Sequence, residues 1–172
     1  ARSLWDTTVE DPAVATAVVA IVAAHGDAGT YAECRERARR ADTAQVEQRH
    51  LRALTRFPGI DEVTILLGEM LDGGIRSQDA PYLLRDALAH RWHRRFVWRT
   101  IADRWDEVTS RFPSNSIARM LEGVRTLIDA DTEPDVEAFL DAHPIPQGAR
   151  QIAQHLERRR VNQRLAERLT GD

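Results

Sequence analysis

Apolar side chains recur at steps of three and four along nearly the whole chain, and no segment alternates apolar and polar with a period of two. The strongest stripe lies between Arg94 and Pro113, where Trp98, Ile101, Ala102, Trp105, Val108 and Phe112 follow one another at helical spacing. That spacing predicts one helical face carrying two indoles and a phenyl ring. Arg99, Asp103, Arg104, Asp106, Glu107 and Arg111 fall largely off it, which predicts a charged face toward water. Because aromatic side chains bury more area than any others, Trp98, Ile101, Trp105 and Phe112 are expected to form the structural core.

Caps and breakers divide the rest. Asp11 and Pro12 open a helix through Val14, Val18, Val19, Ile21 and Val22 to a stop at Gly26, apolar nearly all round and so expected to be buried. Thr30 is the expected cap of a helix with Tyr31, Cys34 and Ala38 on one face and a charged face of Arg35, Glu36, Arg37, Arg39 and Arg40 on the other. Thr43 opens a third with Val46, His50, Leu51 and Leu54. Asp61 starts a fourth, closed by Gly73 and Gly74. Ser77 or Asp79 caps the next, with Pro81 in its first turn, and Asp79 is the expected helix cap. Ser114 or Ser116 is expected to cap a helix from Ile117 to Ile128. Thr132 with Pro134 opens a short one through Val136, Phe139 and Leu140, and a last long helix runs from about Gln147 with a thin stripe of Ile152, Leu156, Val161, Leu165 and Leu169.

The fold class is therefore all-α, with about eight or nine helices. Hairpins beginning near 12, 43, 79 and 115 repeat at intervals typical of stacked two-helix units, which predicts a short, irregular α-superhelix in a single domain, 1–172.

Chain length and an ordinary apolar fraction suffice for one core, and no apolar run reaches the ~20 residues of a membrane span. All 24 basic residues are arginine, a usage expected of a GC-rich genome, and the net charge of -3 argues against nucleic acid as a partner. One cysteine, Cys34, excludes an internal disulfide and points to a reducing, cytoplasmic setting. The opening residues have no pattern of a targeting segment.

Chemistry is sparse. His90 and His93 stand three apart without a third ligand or a base at metalloprotease spacing, so a surface or capping role is expected. The remaining histidines are dispersed, no serine has a nucleophile-elbow context, and Gly68, Gly73 and Gly74 end a helix where a phosphate loop would begin one. The chain is expected to hold no metal, no cofactor and no catalytic residue. Arg119, Gln154, Arg158 and Asn162 are the candidate contacts to a ligand in a groove between hairpins.

Three segments, IRSQDAPYLL, FVWRTIADRWDEVTSRFP and DVEAFLDAHPIPQGARQIAQHLERRRVNQRL, in this order resemble the C-terminal domain of zinc aminopeptidases of the aminopeptidase N family, including the endoplasmic-reticulum aminopeptidases, and look most like the actinobacterial members. The resemblance implies a HEAT-like helical superhelix that covers a catalytic zinc domain, encloses the substrate cavity and receives the far end of the peptide. It also implies that zinc and the catalytic groups belong to another part of the parent enzyme. Its expected partners are that catalytic domain and a peptide, with Arg119 and Arg158 offered to the peptide carboxylate. The alternative is a free-standing helical-repeat scaffold that binds a protein on its concave face. An exposed apolar patch on the N-terminal hairpins would favour the first reading, and a polar N-terminal cap the second.

Overall fold

The computed structural model describes residues 1–7, 9–129 and 131–170. Those residues are all-helical, with eleven α-helices and two short 3-10 segments, and they fall into two compact units, 1–66 and 67–172.

In the first unit, α1 (Arg2–Trp5), α2 (Pro12–Ala24), α3 (Ala28–Arg39) and α4 (Ala44–Leu54) precede α5 (Ile60–Asp72), which runs across the boundary. The Asp11 carboxylate caps α2 by accepting from the amides of Ala13 (2.7 Å) and Val14 (3.2 Å), and the Thr43 hydroxyl caps α4 by accepting from the Val46 amide (3.2 Å). Thr30 does not cap α3. The helix starts earlier, at Ala28, so Asp27 takes the Thr30 amide (2.9 Å) and the Thr30 hydroxyl itself donates to Asp27 (2.8 Å).

Trp5, Val18, Val19, Tyr31, Cys34, Leu54 and Phe57 are buried in this unit. The Trp5 indole donates to Glu33 (2.7 Å), and Arg37 lies over its ring at 4.2 Å while donating to the Trp5 carbonyl. Full burial of α2 is not observed. Ala15, Val18, Val19, Val22 and Ala23 are buried, but Val14 and Ile21 are 43% and 50% exposed, because α1, α3 and α4 cover one side of the helix only.

The second unit contains α6 (Ala80–Leu88), α7 (Arg94–Asp103), α8 (Trp105–Arg111), α9 (Ser114–Met120), a 3-10 segment at Leu121–Thr126, α10 (Val136–Ala142), a single 3-10 turn at Pro146–Gly148 and α11 (Ala149–Thr170). The aromatic stripe is buried as a stripe, with Trp98, Ile101, Trp105, Val108 and Phe112 all inside, yet the helix bearing it is two helices. Arg104 leaves helical geometry (φ -112°, ψ 29°), and its guanidinium pairs with Asp72 and Glu107 across the break. This break and α1 account for the helices beyond the expected eight or nine.

Phe139 of α10 stands edge-on to both indoles, 5.4 Å from Trp98 and 5.3 Å from Trp105, and the Trp98 Nε1–H donates to the Pro134 carbonyl (2.7 Å). The predicted helix from Ile117 to Ile128 turns 3-10 at Leu121. There Gly123 lies so close to α6 that a Cβ would stand 2.5 Å from Leu88 Cβ and 2.6 Å from the Arg85 carbonyl oxygen, and Thr126 donates to the Leu88 carbonyl (2.9 Å).

Besides Thr30, three more predicted caps do not cap. Asp79 occupies the N-cap position of α6, but its carboxylate accepts from Arg76 Nε (2.8 Å) and caps no amide. Neither Ser114 nor Ser116 caps α9, whose N-cap is Pro113. Asp135, not Thr132, caps α10 through the amides of Glu137 (3.1 Å) and Ala138 (2.9 Å), while Thr132 is buried and donates to the Asp129 carbonyl. The double glycine does end α5, with Gly73 at φ +102°, where a Cβ would be strained.

Candidate functional site

In the first unit the uncovered side of α2 is the candidate surface. Across thirteen residues the helix has no charged side chain, and Ala13, Val14, Ala17 and Ile21 are exposed together at helical spacing. At the C-terminal end of α2 lies an open cleft of about 530 Å³, whose lining includes Ile21, Val22, Arg2, His25, Asp27 and Thr30. The amide and hydroxyl of Thr30 hold the Asp27 carboxyl below the usual range, so it is an anion committed to its cap. Arg2 Nη1 reaches the Thr30 hydroxyl at 3.5 Å. Arg2, Thr30 and Asp27 are bonded to one another beside Ile21 and Val22, an arrangement suited to contact.

In the second unit the four predicted polar residues go to different places. Asn162 is seated, its Nδ2 donating to the Arg125 carbonyl (2.9 Å). Gln154 and Arg158 share an exposed face of α11. Arg119 is exposed on α9 and donates from Nη1 to the Tyr82 hydroxyl (2.7 Å). Tyr82 has no local signal, since its partner lies 37 positions away and only the packing of α6 on α9 joins them. The hydroxyl accepts from Arg119 and keeps its own proton to donate, so the pair offers two donors to one carboxylate.

The titratable groups inside the fold are structural. Burial pushes the Cys34 thiol up to about 12 and the Tyr31 phenol to about 12, which leaves no thiolate near neutrality. His155 is buried, donating from Nε2 to the Ala118 carbonyl (3.1 Å) and accepting at Nδ1 from Arg125 Nε (3.1 Å). Burial first, then the Arg125 charge, lowers its pKa. His50 is lowered by burial and bonds at Nδ1 to the Val46 carbonyl (2.9 Å).

His90 is buried and so is not a surface group. Its Nδ1 accepts from the amides of Trp92 and His93, both at 3.2 Å, a capping role at the entry to α7, and its ring stacks on that of His93. Among the described residues there is no group of three or more His, Cys, Asp or Glu side chains placed to hold a metal ion.

A helical domain whose distinguishing features are an open uncharged face and internally bonded polar groups is defined by its surfaces. The family model of the ERAP1-like C-terminal domain matches residues 1–161, and the chain belongs to that family: it is the C-terminal domain of an ERAP1-like aminopeptidase. No curated protein matches the chain.

Proposed function

We propose that this chain is the noncatalytic C-terminal domain of a cytoplasmic, actinobacterial-type zinc aminopeptidase that removes N-terminal residues from peptides. In this reading the open face of α2 docks on the catalytic domain of the same polypeptide, zinc resides in that domain, and the C-terminal domain closes the substrate cavity. The observation that carries it is the uncharged, half-exposed face of α2 with Val14 and Ile21 at its centre. Arg119 with Tyr82 is the candidate holder of the distal peptide carboxylate. No helix among the described residues is long and apolar enough to cross a membrane.

An antibody raised against the chain tests this in source cells. The expected result is a native band several times larger than 19.5 kDa that co-purifies with zinc-dependent release of N-terminal amino acids. A native band at 19.5 kDa without that activity overturns the reading in favour of the scaffold.

A further inference from the structure

A second unpartnered surface, of different chemistry, lies on α11. One side of this helix is seated on its own unit: Ile152, His155, Leu156 and Arg159 are buried, and Arg159 Nε donates to the Leu127 carbonyl (2.6 Å). On average roughly a third of a turn away run Gln154, Arg158, Val161, Leu165 and Leu169, at successive steps of four, three, four and four. Val161, Leu165 and Leu169 are 39%, 54% and 79% exposed. Arg158, Arg164 and Arg168 are exposed beside or within this row, and their guanidinium groups make no hydrogen bond or ion pair among the described residues, whereas Arg159 and Arg160 both reach Glu137. Glu157 is on the same flank, and Glu167 falls on the opposite side of the helix.

We propose that this seam docks an acidic amphipathic helix of a partner protein, with leucine-like side chains laid against Val161, Leu165 and Leu169 and carboxylates against the three unpaired arginines. Charge selects the occupant. A second copy pairing through the same face would set arginine-rich flanks against each other with few carboxylates in reply. The seam is also narrow and purely aliphatic, without the broad apolar face and aromatic residues of a helix that lies in a membrane surface. Leu165 and Leu169 lie beyond residues 1–161, so most of this surface falls outside the part matched by the family model.

The test uses the 172-residue chain and a fluorescent synthetic helix of about three heptads, with Leu at the core positions and Glu at the flanks, against the same helix with Lys flanks. The expected result is binding of the Glu helix that weakens with salt, drops at least about tenfold in Leu165→Glu, and moves to the Lys helix in the double variant Arg164→Glu, Arg168→Glu. All substituted positions are exposed, so unchanged thermal unfolding of each variant verifies the fold. Equal binding of the two helices, or binding of neither, overturns the proposal. So does a chain that sediments as a dimer until Leu165→Glu is introduced, which assigns the seam to a second copy, or one that binds anionic lipid vesicles through Leu165, which assigns it to a membrane surface.

Discussion

Single side chains in this protein act mainly by filling and bonding the interior. Trp98 is fully buried, packs edge-on against Phe139 and satisfies the Pro134 carbonyl, so Trp98→Ala is expected to cost about 3–5 kcal/mol in urea unfolding. His50 and His155 give the fold an acid limit. Burial depresses both below the ordinary 6.5, with the Arg125 charge adding to the effect at His155. Below pH 6.5 the unfolded chain therefore takes up protons that the folded one refuses. Stability is complete above that pH and falls as pH drops toward the folded-state values, by up to about 1.4 kcal/mol per pH unit for each histidine. Urea midpoints measured between pH 7.5 and 5.5 are expected to decline, and H50Q/H155Q to flatten the decline. At Arg119, replacement by Ala in the parent enzyme is expected to raise KM by about tenfold for peptides with a free C-terminal carboxylate and to leave C-terminally amidated peptides unaffected.

At the scale of elements, the ends and close approaches of helices decide more than their middles. Thr43 bonds the Val46 amide, and Thr43→Ala is expected to cost about 1 kcal/mol. Asp79 looks equivalent in sequence but serves the partly exposed Arg76, so Asp79→Ala should cost less than about 1 kcal/mol by the same unfolding measurement. Gly123→Ala pushes a Cβ into Leu88 and the Arg85 carbonyl and is expected to cost about 1–3 kcal/mol by forcing the 3-10 segment off α6. The periodic pattern made α4, α6 and α11 legible, and the Asp11–Pro12 start and uncharged run made α2 so. It could not show the break at Arg104, since Trp98, Ile101, Trp105 and Val108 remain at helical spacing on both sides of it, and the pairing of Arg104 with Asp72 is nonlocal.

At the scale of the whole molecule, what matters is which apolar surface remains uncovered. Two such surfaces stand out: the uncharged face of α2 in the first unit and the arginine-flanked seam of α11 in the second. Val14→Glu with Ile21→Glu is expected to leave thermal unfolding of the isolated chain within about 2 °C of the original, because both positions are half-exposed. The same pair should weaken association with a separately produced catalytic portion by at least about tenfold in a pull-down titration. Unchanged association would remove α2 as the docking face.

By itself the sequence determined the helical class, most helix positions, the aromatic core and the family, because helical period, proline and glycine breaks and the spacing of Trp98, Trp105 and Phe112 are local properties of the chain. Tertiary structure alone decided that α2 is covered on one side only, that Arg119 meets Tyr82, that Asn162 is spent on the Arg125 carbonyl, and that His90 is buried in a turn. Each of these depends on neighbours that are set by packing. The hydropathy of α2 is nearly uniform around its axis, so no periodicity could tell its covered side from its open one.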